Sequence, residues 1–255
     1  MRRALEFAAP IVFLALLLGL WEGLCRLLNV PAYFLPTPSS ILVALVQNAS
    51  LLFVAAGHTL WNAISAFLIV GVLANVAAVA AAATRIVENS FRPIAVTLQV
   101  TPIVALAPLF QVWAGVEHPG RAVVALACVA AFFPIYSGVL AGLNASDPEL
   151  ERLFDLYGAG PFQRLLRLRA PSAIPQALEG FKVALGLALV GTVIGEMGAG
   201  GGGADGLAWR IAEASHRMQT AKSFAALLAL ALMAGLLHLG YQALEQRALR
   251  WWRGR

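Results

Sequence analysis

Arg152-Leu-Phe-Asp-Leu-Tyr-Gly158-Ala-Gly-Pro-Phe-Gln-Arg-Leu-Leu-Arg-Leu168-Arg-Ala-Pro171 is the heart of a polar, proline-bounded segment, Asn144–Pro175, set between apolar runs each long enough to cross a bilayer. The segment gathers Asp147, Glu149, Glu151, Arg152, Asp155, Arg164, Arg167 and Arg169 in a chain of which only 12% is charged. A membrane protein that keeps its largest polar loop on the cytoplasmic side usually has something there to be driven by, or to drive. The segment is expected to be a cytoplasmic docking element.

Composition fixes the class around it. The chain is 60% hydrophobic with a mean hydropathy of +0.78, far above a soluble domain. Its 255 residues allow about six crossings of roughly 20 residues each. The pI near 9.8 does not imply nucleic acid, because the basic residues sit at span ends and in loops. Cys25 and Cys128 lie in separate apolar runs without ligand-spaced partners and read as small core hydrophobes. The run after Met1-Arg2-Arg3 continues past Leu20 without an Ala-x-Ala site, so the first span is expected to stay uncleaved.

Six segments carry the hydropathy, at about Ala8–Leu28, Thr59–Ala83, Pro93–Val116, Arg121–Leu143, Phe181–Met197 and Phe224–Leu244. Runs this long are helices, because only helices satisfy their own backbone in lipid. With the N-terminus inside, the 18 basic residues divide 13 inside to 5 outside, which predicts cytoplasmic termini and a cytoplasmic Asn144–Pro175 loop. Outside, a short interfacial helix is expected over Ser39–Asn48, and a polar helix around Leu207–Gln219 after the glycine run Gly200–Gly203. That run lacks a Gly-Lys-Ser/Thr ending, so it is not a phosphate loop.

Polar residues within the spans are few. Glu22 and Arg26 have helical ion-pair spacing, and Asn62, Ser65 and Asn75 read as interhelical hydrogen-bonding residues. The third span carries Gln99, Thr101, Pro102, Pro108 and Gln111, so a kink with freed carbonyls is expected there, either structural or lining a pathway. Glu196, late in the fifth span, either touches solute near an outer gate or anchors the loop that follows. No catalytic triad, paired carboxylates or metal motif occurs in the spans, which disfavours an enzyme.

The quoted stretch resembles the coupling-loop motif of binding-protein-dependent ABC importer permeases, Glu-Ala-Ala-x3-Gly-x9-Ile-x-Leu-Pro, with the same spacing of thirteen from Gly158 to Pro171. Further similarity covers nearly the whole chain: Trp21-Glu22, Phe34-Leu-Pro-Thr-Pro-Ser39, Thr59-Leu60, Thr101-Pro-Ile-Val-Ala-Leu-Ala-Pro108-Leu, and Gly195-Glu196-Met197 with the glycine run and Gly206-Leu207. Together these resemble the nitrate/sulfonate/taurine branch, which includes permeases for pyrimidine precursors of thiamine, and the Thr101–Pro108 segment is closer to the latter. Arg152-Leu153-Phe154 stands where the motif has Glu-Ala-Ala, and Ala170 replaces the Leu before the proline.

The resemblance implies an all-α type I importer permease (MetI-like) fold of six transmembrane helices, with a short coupling helix over Leu153–Phe162. Arg152, Leu153, Phe154, Asp155, Tyr157, Gly158, Pro161, Phe162 and Pro171 would then meet the ATPase, while Gln99, Thr101, Pro102, Gln111 and Glu196 would line the translocation pathway. Residues 1–57 form the first span and outer segment, 58–245 the core with its coupling loop at 144–178, and 246–255 a basic tail. Implied partners are a second copy, a cytoplasmic ATPase dimer that binds ATP and Mg, and an extracytoplasmic substrate-binding protein. The chain itself is expected to bind no cofactor. The rival classes are an ion-coupled secondary carrier, which would show inverted repeats and ionisable residues in mid-span, and a membrane scaffold or enzyme, which leaves the Gly158–Pro171 loop without a purpose.

Overall fold

The computed structural model describes residues 2–115, 118–199, 205–252 and 254, and no strand occurs among them. Helices α1 (Arg2–Leu27), α2 (Pro38–Gln47), α3 (Ala49–Ala83), α4 (Arg85–Val100), α5 (Ile103–Ala114) and α6 (Pro119–Asn144) lead to a polar corner. There α7 (Pro148–Leu156) and α8 (Pro161–Arg164) precede a π turn (Leu165–Arg169), and α9 (Ala170–Gly198), α10 (Leu207–His216) and α11 (Thr220–Trp252) complete the chain. Among the described residues four stretches are long and apolar enough to cross a membrane: α3, α6, α11 and the run Pro161–Gly198. The α4–α5 pair adds a fifth if it is one broken span. The first expected span falls within α1, a helix of 26 residues.

Small residues decide how these helices pack. α3 buries Ala55, Thr59, Ala63, Ala66, Val70, Ala74, Ala78 and Ala81, a stripe recurring every three or four residues. Across from it α6 and α9 approach through glycine. A Cβ on Gly180 would lie 2.5 Å from the Pro134 carbonyl oxygen, and one on Gly191 would lie 2.6 Å from Ala127 Cα. Lipid offers no hydrophobic drive between helices, so van der Waals contact of this closeness is what holds the pair.

Three boundaries differ from the expectations. The third span is not one kinked helix over Pro93–Val116: α4 and α5 meet at 99°, with the break at Thr101–Pro102. A residue before proline is pushed to extended backbone, and Thr101 obeys at φ −69°, ψ 126°. The fifth span begins well before Phe181, because the helix runs from Pro161 through the π turn into α9. Pro171 is therefore no loop end; it lies on the helix just past the widened turn, which makes room for its ring. The sixth span also runs on past its expected end at Leu244, since α11 continues to Trp252.

Candidate functional site

The polar corner is built by local rules. Asp147 accepts from the Glu149 amide at 2.8 Å and caps α7, whose first turn carries Glu149 and Glu151 at the positive end of the helix dipole. At the far end Gly158 takes φ +63°, with Ala159 N donating to the Phe154 carbonyl and Gly158 N to that of Asp155. This is a glycine-dependent helix stop. The short helix thus occupies Pro148–Leu156, not the expected Leu153–Phe162, and Pro161 and Phe162 start the next helix.

Several charges of the corner face each other rather than a partner. Glu151 Oε1 accepts from Ser146 Oγ at 2.6 Å and Arg169 Nε at 2.8 Å, Glu151 Oε2 lies 3.4 Å from Arg164, and Arg164 also pairs with Asp155. Burial pushes the Glu151 carboxyl up, but the hydrogen bonds from Arg169 and Ser146 and the charges of Arg169 and Arg164 outweigh it and hold the carboxyl below its ordinary value. Clamped in this way, the corner presents Leu156, Tyr157 and Phe162 at 84%, 82% and 70% exposure, with Leu153, Arg152 and Pro161 beside them and Phe154 half-buried. Pro171 contributes differently. Pro175 has no N–H for the Pro171 carbonyl, and Trp252 Nε1 donates to it instead at 2.7 Å, tying the end of α11 to α9.

At the other end of α9, Glu196 is fully buried. Its Oε2 accepts from Thr59 Oγ1 at 3.0 Å and from the Ala208 amide at 3.1 Å, while Thr59 Oγ1 accepts from the Leu207 amide at 2.8 Å. α10 begins at Gly206, which has no side chain to cap it, and a Cβ there would collide with the Glu196 carboxyl. Glu196 and Thr59 thus supply the cap from two other helices. Glu22 does the same for α2: its carboxyl accepts from the Ser39 amide at 3.0 Å, from Ser39 Oγ at 2.7 Å and from Arg26 Nε at 2.8 Å. Of the two roles expected for Glu196, the geometry is that of an anchor, directed at α10; the glycine run Gly200–Gly203 lies outside the described residues.

The other residues expected to line a pathway separate. Gln111 packs against Gly198, near the Glu196 end of α9, and its buried Nε2 has no partner among the described residues. Thr101 and Pro102 form the α4–α5 break, where Thr101 Oγ1 donates to the Thr97 carbonyl at 2.6 Å. Gln99 instead lines a cleft of about 840 Å³ between the α4–α5 elbow and the α6–α9 pair, with Phe133, Ser137, Gln176 and Glu179. Neither Gln176, within the 144–178 loop, nor Glu179, just after it, was expected on the fifth span, which was placed from Phe181. The available signal was their i, i+3 spacing, which places both on one face once the helix is continued. Glu179 and Lys182 lie one turn apart on α9, 3.6 Å from each other, and Lys182 also pairs with Glu245 on α11 at 3.1 Å. Asn75 bonds within its own helix, to the Gly71 carbonyl at 2.6 Å, and not across to a neighbour. Asn62 and Ser65 line a separate outer cavity with His118 and Arg121. Among the described residues no cluster fit for a metal ion occurs, and Cys25 and Cys128 are free.

Known proteins are similar to this chain in sequence. The family described as binding-protein-dependent transport system inner membrane component matches residues 71–250. A formylaminopyrimidine transport permease of Halalkalibacterium halodurans is 31% identical over 77% of this chain and 78% of its own length. A riboflavin transport system permease of Chloroflexus aurantiacus is 31% identical over 94% of this chain and 88% of its own. The taurine transport system permease of Escherichia coli is 29% identical over 93% and 87%. With two-thirds of the chain inside the family and its helices long and apolar enough to cross a membrane repeatedly, the protein belongs to the binding-protein-dependent inner membrane components and is an ABC importer permease.

Proposed function

We propose that this chain is one of two identical permease subunits that form the pathway of an ATP-driven importer for a small polar or anionic solute, with six crossings when α1 and the α4–α5 pair are counted. Solutes in the names of the relatives, formylaminopyrimidine, riboflavin and taurine, support that size and polarity. α7 and the turn after it dock on a cytoplasmic ABC ATPase dimer that carries ATP and Mg, with both termini on the same side. The outer helices α2 and α10 face a substrate-binding protein. Residues 58–245 act as the core with coupling at 144–178, flanked by the 1–57 and 246–255 segments. ATP moves the inward–outward equilibrium only through unequal affinity for the two states, and the helices follow as rigid bodies.

The observation that carries this reading is the exposed apolar rim, Leu156, Tyr157 and Phe162, on a corner held rigid by the Glu151–Arg164–Arg169 cluster. A soluble surface does not keep such a rim uncovered without a partner. Gly158→Phe tests it. No heavy atom lies within 4 Å of a Cβ there, so the change strains the turn through its φ of +63° without a clash. Loss of ATPase co-purification or of ATP-driven uptake, with the permease still folded, is the expected result; wild-type assembly and uptake would remove α7 from the docking surface.

A further inference from the structure

The cleft between the α4–α5 elbow and the α6–α9 pair has a one-sided chemistry. Gln99, Ser137, Gln176 and Glu179 supply its polar groups, and no lysine, arginine or histidine lines it among the described residues. Ser137 Oγ donates to the Pro134 carbonyl at 3.3 Å, which leaves its lone pairs for a ligand. Pro134 has no N–H to offer the carbonyl of Ala130, another lining residue, and so frees one more acceptor. Lys182 does not neutralise this side. It lies 3.6 Å from Glu179 and 3.1 Å from Glu245, so one ammonium serves two carboxylates and a negative charge is left over. Phe133 adds an aromatic surface to the wall.

An oxyanion such as a sulfonate or nitrate needs donors and positive charge, as guanidinium forks and helix N-termini provide. This cleft offers acceptors, amides and a carboxylate. Accepting the permease reading above, we propose that the Gln99–Ser137–Gln176–Glu179 cleft contacts the solute in transit and suits a planar nitrogen heterocycle, neutral or cationic, that presents N–H donors. Glu179 and Gln176 take the N–H groups, Gln99 meets both donors and acceptors, and the ring lies against Phe133. Anionic solutes are turned away by the Glu179 charge.

The test uses the permease assembled with its ATPase in nanodiscs, with Cys25→Ala and Cys128→Ala as background. Ser137→Cys or Gln176→Cys is then modified by cationic trimethylammonioethyl or anionic sulfonatoethyl methanethiosulfonate, each rate normalised to that with a free thiol in solution. One net negative charge within roughly 8 Å favours the cation by about twofold at physiological salt and about fivefold at low salt. The cationic reagent is expected to win by that margin, Glu179→Gln to abolish the difference, and cytosine but not ethanesulfonate to slow the reaction. Equal or faster anionic modification, protection by ethanesulfonate in place of cytosine, or no reaction in any nucleotide state would overturn the assignment. If Glu179→Gln does not fold, the rate ratio in its presence and the competition still decide. ATP-driven uptake is measured separately, so a permease that transports but shows no cationic preference refutes the solute class and leaves the transport reading intact.

Discussion

Replacing Glu196 by alanine should unlatch α10. The side chain is fully buried and its Oε2 is the acceptor for the Ala208 amide at 3.1 Å. Thr59 keeps a second acceptor in the Ala55 carbonyl at 3.3 Å, so the group orphaned by the change is the Ala208 N–H. An orphaned buried donor costs about 1–3 kcal/mol. The space vacated by the Cγ methylene adds about 0.8 kcal/mol. A weakening of about 3 kcal/mol corresponds to roughly a hundredfold rise in the opening constant of the first turn of α10. Hydrogen exchange at Leu207, Ala208 and Trp209, followed by mass spectrometry of the purified permease, reads that constant directly. Glu196→Gln retains a carbonyl for Ala208 and Thr59 and should lose far less protection, whereas Thr59→Val, which strips the Leu207 amide of its acceptor, should resemble the alanine variant. Unchanged exchange in Glu196→Ala would refute the capping argument, and loss of transport in Glu196→Gln with α10 still protected would return Glu196 to the pathway.

At Gly180, substitution by leucine should destabilise the α6–α9 pair by about 1–3 kcal/mol or more, while Gly186→Leu, with nothing within 4 Å of its Cβ, should melt like the parent in detergent. The Glu151 cluster makes stability depend on acid. A carboxyl held below its unfolded value contributes fully above the ordinary carboxyl range, and its contribution is lost as pH falls through the depressed value. The melting midpoint should therefore drop as pH falls below the ordinary carboxyl range, and Glu151→Gln should flatten that drop. Cysteine at Gln99, on the cleft, should react with small water-soluble thiol reagents at a rate that changes with ATP, and complete protection in every nucleotide state would remove α4 from the pathway.

The glycine and prolines of the chain were the most legible part of it. Gly158, the fixed glycine of the quoted motif, takes the left-handed turn that stops the helix expected to run on to Phe162, and the prolines expected to kink the third span break it into the α4–α5 elbow. The two outer helices also sit within a few residues of their expected places, because each begins at a local stop signal. Charge was less legible. Glu151, Asp155, Arg164 and Arg169 appear in the sequence as a polar face for a partner, but their long-range pairing depends on α7 folding back onto the π turn. That turn is also why Gln176 and Glu179 were left off the fifth span: hydropathy ends a span at the first cluster of charges, while a helix widened by one residue continues through it. Thr37 caps α2 locally, but the further acceptors that Glu22 and Glu196 supply to α2 and α10 sit 17 and 12 residues from the amides they hold, and a short-range motif cannot reveal them.

Pro161–Gly198 is a single run of 38 residues, about 57 Å long, that starts at the polar corner and finishes beside the latch on α10. On the proposed reading, with the ATPase seated on that corner, the run would serve as a push-rod. A soft loop would dissipate a displacement applied near Gly160, whereas a helix passes it on as translation or rotation of its far end, and the Trp252 indole braces the place where Pro175 deprives it of a rung. Turning such a rod by a fraction of a revolution would carry the Glu196 carboxyl away from the Ala208 amide, so corner and latch would keep one mechanical clock.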